Sequence, residues 1–81
     1  MRVLELKIVP GFLRDIISGD KTFELRYDDK LYSPGDVLRL HDGSEREPVD
    51  VQVTYVLSSF ELAQGYVALG IRLMDSKRGR E

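Results

Sequence analysis

The chain lacks cysteine altogether and contains one histidine, His41. Without cysteine, neither a disulfide framework nor thiolate chemistry is available. A single histidine argues against a zinc site built from His and Cys ligands. We therefore expect no metal and no cofactor.

Long apolar runs and a targeting segment are also missing. No apolar stretch approaches the ~20 residues that span a bilayer. Met1-Arg2 leads directly into a strand-like run, without a small-residue cleavage site. The sequence thus predicts no membrane association and, by default, a cytoplasmic location.

Neither sign of charge dominates, because 12 Lys and Arg face 14 Asp and Glu. The net charge of −2 gives no long-range attraction to nucleic acid, so polyanion binding would require a local basic patch. A chain of 81 residues, 42% of them hydrophobic, is typical of one small globular domain. We place that domain at residues 1–74, followed by a polar, disordered tail at 75–81, and expect a monomer by default.

Alternation of apolar and polar residues predicts five strands, at residues 3–9, 21–27, 37–41, 49–57 and 66–73. Between the first two, Pro10 opens a short helical pattern that Gly19 closes as a left-handed cap. The pattern is mainly β (α+β), with one short helix between strands 1 and 2. Such a domain gains from closing its sheet into a half-open barrel, because closure removes exposed edges.

The most informative stretch is the second strand, with Lys21 at its entry. Strand side chains alternate between two faces, so Thr22, Glu24 and Arg26 share one face. The apolar residues Phe23, Leu25 and Tyr27 share the other. We expect the apolar set to anchor the core and the polar set to line a cleft.

Each polar group has a functional and a structural interpretation. Lys21 and Arg26 are suited to grip phosphate, or to form a salt-bridge ladder with Glu24. Glu24 is suited to accept from a nucleobase amino group, or to pair with Arg26. Thr22 is a ligand donor or nucleophile, or simply a good strand former. Lys7 closes the cationic side of the cleft if strands 1 and 2 are adjacent, and is otherwise solvated.

Outside that strand, two further groups carry predictions. Pro34, Gly35 and Asp36 form a turn that the Asp36 carboxylate stabilises by accepting backbone N–H bonds. Aromatic rings stack on nucleic-acid bases, and Tyr66 or Tyr32 is the better candidate for that role. Tyr27 and Tyr55 lie on registers that we expect to face the core.

The motif Gly19-x-Lys21-Thr22-x-Glu24-x-Arg26 resembles the ASCH branch of the PUA-like superfamily. Gly35-Asp36, Leu6-Lys7 before the Pro10 helix, and Tyr66-Val67-x-Leu69-Gly70-Ile71 support the likeness, which is closest to a small uncharacterised, often phage-associated subgroup. The resemblance implies a pseudobarrel of five or six strands with a cleft beside the helix that holds RNA or a nucleotide-like ligand. It carries over Lys21, Thr22, Glu24 and Arg26 as ligand-binding residues, with Lys7 and Asp36 through weaker motifs.

Three functions stay open. The first is binding of RNA or a nucleotide-like small molecule. The second follows a catalytic ASCH branch that resembles a metal-independent amidohydrolase acting on acetylated cytidine, with Lys21, Thr22 and Glu24 as candidates. In that branch a threonine nucleophile occupies the position of Glu24, whereas Thr22 lies two residues earlier, so we favour a non-enzyme. The third is a protein-interaction module that uses a barrel edge.

Overall fold

The computed structural model describes residues 1–74, so the predicted disordered tail lies outside the described residues. The described chain folds into five strands and one helix, in the order β1, α1, β2, β3, β4, β5. Their bounds are β1 Val3–Lys7, α1 Pro10–Ser18, β2 Phe23–Tyr27, β3 Val37–His41, β4 Val49–Leu57 and β5 Tyr66–Leu73. The predicted mainly-β fold with one helix between strands 1 and 2 is confirmed.

All five strands belong to one curled sheet, in the spatial order β1-β3-β4-β5-β2. β1 runs parallel to β3, and the remaining pairs are antiparallel. The two edge strands, β1 and β2, are connected in sequence by α1. Arg26 of β2 donates from Nη2 to the carbonyl oxygen of Lys7, the last residue of β1, at 2.6 Å. A side chain therefore joins the two edges of the half-barrel.

The core lies inside the curl of the sheet. α1 contributes Leu13 and Ile16 and ends at Gly19, whose φ of +92° is left-handed and whose N–H donates to the Ile16 carbonyl. The strands supply the other fully buried side chains, Leu38, Leu40, Val51, Val53 and Leu69. A nine-residue helix is marginal alone, so burial of these two side chains against the sheet holds it in place.

The faces of β2 are the reverse of the prediction. Phe23, Leu25 and Tyr27 are 49–57% exposed, whereas Glu24 between them is only 6% exposed. Alternation shows which side chains share a face, but it does not show which face is inward. Here burial of Glu24 is compensated by two neighbouring cations, so the apolar side chains remain outside.

A second correction concerns β4, where a β-bulge interrupts the predicted period-two face. Val53 pairs with Ile71, but Tyr55 pairs with Gly70, which leaves Thr54 as an extra residue. Val53 is buried, whereas Tyr55 and Leu57 lie 63% and 43% exposed, and Val56 turns towards the core instead. The extra residue reverses the faces of the last part of the strand. Leu73, at the end of β5, is also exposed.

The tyrosines follow the same reversal. Tyr27 and Tyr55, which the alternation placed towards the core, are exposed on the outer side of the sheet. Tyr32, considered for base stacking, is buried and belongs to the core cluster. Its N–H donates to Asp28 Oδ1, so the segment between β2 and β3 folds back onto the sheet. The neighbouring Leu31 adopts a positive φ of 55° in that turn.

Replacing Gly65 with alanine should destabilise the fold more than the same change at Gly43. Both residues have left-handed φ values, +86° and +87°, which cost an L-residue about 1–2 kcal/mol. A Cβ at Gly65 would also lie 2.5 Å from Tyr27 Cε1, whereas nothing lies within 4 Å at Gly43. We expect the free energy of unfolding in urea to fall by about 1 kcal/mol for Gly43→Ala and by about 2 kcal/mol for Gly65→Ala. Equal losses would show that the Tyr27 ring moves aside without cost.

Within residues 1–74, the only helix is far too short to cross a lipid bilayer.

Candidate functional site

Three charged side chains of the predicted polar strand converge where β2 meets the end of β1. Glu24 lies at the centre, with its carboxylate between the side chains of Lys21 and Arg26. We call these three residues the charged cluster. The arrangement forms because Glu24 and Arg26 point the same way from β2, while Lys21 reaches the carboxylate from just before the strand.

Lys21 is held from several directions. Its Nζ lies 2.9 Å from Glu24 Oε1 and donates to the Phe23 carbonyl oxygen at 2.5 Å. The same ammonium lies 4.4 Å from the centre of the Phe23 ring and 5.2 Å from that of Phe12 on α1. Cation–π contacts of this kind favour a partly desolvated ammonium, so Lys21 is fixed between the helix and the strand.

Arg26 completes the cluster on the opposite side. Its Nε lies 3.2 Å from Glu24 Oε2, but within residues 1–74 the Nε–H has no hydrogen-bond acceptor in a suitable direction. Its Nη2 donates to the Lys7 carbonyl oxygen. A guanidinium carries five N–H donors, and the described hydrogen bonds occupy one of them. Arg26 therefore has donor capacity to spare.

The charges in the cluster do not cancel, because two cations accompany one carboxylate. The side chains of Lys21 and Arg26 retain 14% and 22% of their exposure, against 8% for Glu24. Tyr32 lies near enough to sense the cluster: burial raises the pKa of its phenol, and the charge of Arg26 opposes part of that rise. The cluster is thus a small, partly sheltered site with a net positive charge.

The other two predicted site residues contribute differently. Thr22 is exposed, its carbonyl oxygen accepts from the Ile71 N–H, and within residues 1–74 its hydroxyl has no hydrogen-bond partner. Lys7 reaches the cluster through its backbone carbonyl, while its side chain is exposed. β1 and β2 are opposite edges of the sheet and are joined here by the Arg26 hydrogen bond to the Lys7 carbonyl, while the ammonium of Lys7 makes no described contact with Glu24 or Arg26.

Asp36 lies in the turn before β3 and is almost completely buried. Its Oδ2 accepts from the Ser33 N–H at 2.9 Å and from Arg2 Nη2 at 2.8 Å, and its Oδ1 accepts from the Arg2 N–H. Hydrogen bonds from Arg2 hold the pKa of the Asp36 carboxyl below its ordinary value, although burial opposes the shift. Asp36 thereby connects the Pro34-Gly35 turn to the N-terminal residues that enter β1.

An open groove of about 500 Å³ lies at the β4–β5 connection, lined by Asp28 and by most of residues 58–67. Val67, on its wall, pairs with Arg26 in the sheet, so the groove begins beside the charged cluster. The lining combines rings of Phe60 and Tyr66 with hydroxyl, amide and carboxylate groups, and includes no lysine or arginine. The charged cluster and the groove therefore offer different chemistries side by side.

Sequence reasoning missed two contributors. Arg2, the partner of Asp36, gives no signal because the two residues lie 34 positions apart. Phe12 fits the apolar spacing of the helical pattern, and nothing in that pattern indicates that its ring contacts Lys21. The i, i+2 spacing of Lys21 and Phe23 does place both on one side of a strand, and it was the available clue to the ring contact.

The fold and the cluster define a small domain with a curled five-stranded sheet and a charged seam between its edge strands. Residues 3–71 match the family model of a domain of unknown function, DUF3850, so the chain belongs to the DUF3850 family. A solved structure, the hypothetical protein PH0355, has a similar fold with a TM-score of 0.65 at 19% identity, covering 91% of this chain and 100% of that one. No curated protein matches the chain.

Proposed function

We propose that this DUF3850 domain is an ASCH-type, PUA-like pseudobarrel that binds RNA or a nucleotide-like small molecule. The observation that carries the proposal is the charged cluster, in which two partly exposed cations surround one buried carboxylate and keep N–H donors unused. Such donors match the acceptor oxygens of a phosphate or of a base carbonyl. The ASCH-like motif around Lys21, Thr22, Glu24 and Arg26 supports the same conclusion.

The groove beside the cluster extends this proposal to the rest of the ligand. Phosphate binds at Arg26 and Lys21, because they are the cations of the cluster. The neutral base and sugar occupy the groove, where aromatic rings and neutral hydrogen-bonding groups line the wall. The Asp28 carboxylate in that wall favours a base with an exposed amino group.

Binding fits the geometry better than catalysis does. A nucleophilic threonine requires a base within hydrogen-bond reach of its hydroxyl. The Thr22 hydroxyl contacts neither Lys21 nor Glu24, and the Lys21 ammonium is already bound to Glu24 and to the Phe23 carbonyl. We therefore propose a binding domain, with amide hydrolysis on a modified nucleoside as the alternative that a product assay on acetylated cytidine would reveal.

Titration with nucleotides, nucleosides and short RNAs should shift the backbone amide resonances of residues 21–26 and of the groove. We expect Arg26→Gln to weaken nucleotide affinity by at least about tenfold, the equivalent of one lost charged hydrogen bond. Arg46→Gln is the matched control, because Arg46 is an exposed loop arginine away from the cluster. Affinity should also fall with added salt.

The same titration contains its own counter-tests. Absence of amide shifts around Lys21 to Arg26 with every ligand would contradict the proposal. Equal weakening by Arg26→Gln and Arg46→Gln would indicate nonspecific charge attraction in place of a site. Nucleosides that bind as tightly as nucleotides would place the recognition in the groove and remove the role assigned to the cations.

A further inference from the structure

The outer side of the sheet is divided into a charged half and an apolar half. Over β1, β3 and the start of β4 it carries charged and polar groups, with Arg39 paired to Asp50 at 2.9 Å and the His41 ring within hydrogen-bond distance of Glu5 at 3.1 Å. Over β2, β5 and the end of β4 it carries large apolar side chains. We call this second half the outer apolar face; it consists of Phe23, Leu25, Tyr27, Tyr55, Leu57, Tyr66, Ala68 and Gly70.

The strand register arranges this face as two ridges with a shallow channel between them. Phe23, Leu25 and Tyr27 form one ridge on β2, and Tyr55 and Leu57 form the other on β4. The small residues Ala68 and Gly70 of β5 lie between them, since Leu25 and Leu57 both pair with Ala68. Two strand spacings separate the ridges, roughly 10 Å, which leaves room for one row of side chains.

The β4 bulge builds the second ridge. If β4 continued as a regular strand through Thr54, its alternation would turn Tyr55 and Leu57 towards the core. Gly70 has no side chain to fill the space between the ridges. A Cβ there would lie 3.0 Å from Thr54 Oγ1 and 3.3 Å from Tyr55 Cβ, so the bulge leaves little room for a larger residue. Backbone and sequence thus combine to place large apolar groups on the outside, where water disfavours them.

The size of the face indicates a macromolecular occupant. A large side chain has about 200 Å² of surface, so six such side chains, each about half exposed, present roughly 600 Å². A patch of this size reaches the upper end of what monomers expose. Two such faces together would bury roughly 1,200 Å², the lower bound for a stable specific interface.

The chemistry of the face favours a protein over a nucleic acid. None of its eight residues carries a charge, and Lys21, which contacts the Phe23 ring, is already paired with Glu24. Single-stranded nucleic acid is bound by rings combined with cations that follow the backbone. The face also contains both ridges and the channel between them. The β2 ridge of one copy can therefore enter the channel of another, and a two-fold axis repeats the contact.

We propose that the outer apolar face is a dimer interface, in which two copies of this chain pack sheet against sheet. Sheets packed in this way lie about 10 Å apart with interdigitating side chains. The two charged clusters lie on the inner sides of their sheets and stay accessible. Dimer formation thus replaces the default expectation of a monomer. It does not rest on the proposed ligand site, although Tyr66 also lines the groove and the Phe23 ring contacts Lys21.

Sedimentation equilibrium of the 81-residue chain, from micromolar to millimolar concentration, tests the proposal. The wild-type mass should rise from 9.3 kDa towards twice that value. Leu25→Asp should remain monomeric throughout, because it buries a charge in the interface. Leu31→Asp is the matched control: Leu31 is an exposed leucine outside the face, and aspartate tolerates its left-handed φ. It should associate like the wild type.

A measurement without substitutions covers the case in which Leu25→Asp does not fold. Mixed labelled and unlabelled wild-type chains should give intermolecular NOEs between Leu25 methyl groups and Ala68. A wild type that stays at 9.3 kDa at every concentration would overturn the proposal, as would a folded Leu25→Asp chain that dimerises normally. If short single-stranded RNA perturbs Tyr27 and Tyr55 while the protein remains monomeric, the face binds nucleic acid and the dimer is wrong.

Discussion

Replacing Glu24 with glutamine should lower the free energy of unfolding by about 3 kcal/mol, because it leaves two neighbouring cations without their shared carboxylate. Removing one partner from a buried ion pair typically costs about 3–5 kcal/mol, and the partial exposure of Lys21 and Arg26 places this case at the lower end. The total free energy of unfolding of a domain of this size is roughly 4–12 kcal/mol. Urea denaturation followed by circular dichroism measures the loss.

Glu47→Gln is the matched control for this experiment, because Glu47 is an exposed loop glutamate that makes no described ion pair. It should change the unfolding free energy by less than about 0.5 kcal/mol. The double variant with Lys21→Met should recover part of the loss, since one cation leaves with the carboxylate. A Glu24→Gln chain as stable as the wild type would mean that water replaces the carboxylate without cost.

Replacing Asp36 with alanine should cost about 2–3 kcal/mol and should remove a pH-dependent part of the stability. The substitution removes the acceptors of the Ser33 N–H, the Arg2 N–H and the Arg2 guanidinium, in a nearly buried position. Asp36→Asn keeps one acceptor oxygen and should therefore lose less stability than Asp36→Ala. Thermal unfolding of the wild type, Asp36→Asn and Asp36→Ala, compared at one pH near neutrality, measures their order of stability.

The pH dependence follows from the lowered pKa of Asp36. The unfolded chain takes up the proton near the ordinary value of 3.8, and the folded chain does so only at lower pH. The contribution of Asp36 is therefore complete above pH 3.8 and is lost as the pH falls through the folded-state pKa. The stability difference between wild type and Asp36→Ala should shrink in that acid range. A difference that stays constant down to full protonation would show that the carboxylate charge has no role.

Local patterns predicted the elements of this fold well. The strands at 37–41, 49–57 and 66–73 have the bounds that alternation indicates, and the helix begins at Pro10 and is capped by Gly19. Each of these signals lies within a few consecutive residues. The parallel pairing of β1 with β3 and the position of β2 beside β5 depend on contacts between distant residues, which no short window contains.

The orientation of the strands was harder to predict than their positions. Phe23, Leu25 and Tyr27 look like core residues because apolar side chains usually avoid water. In the structure the buried position belongs to Glu24, which Lys21 and Arg26 neutralise. The motif correctly brought together the residues of the cluster, but hydrophobicity assigned the faces wrongly, because the apolar set lies on the outer apolar face.

The bulge in β4 has a consequence for comparing relatives within the family. The extra residue at Thr54 shifts the alternation of the positions that follow it by one residue. Deletion of the Thr54 codon would remove the bulge and leave Tyr55 opposite Gly70 and Leu57 opposite Ala68, so the same apolar side chains would stay outside. In a relative that keeps the extra residue, the alternation of apolar and polar residues must be interpreted separately before and after it. In a relative without it, one unbroken alternation along β4 would describe the same outward set of side chains.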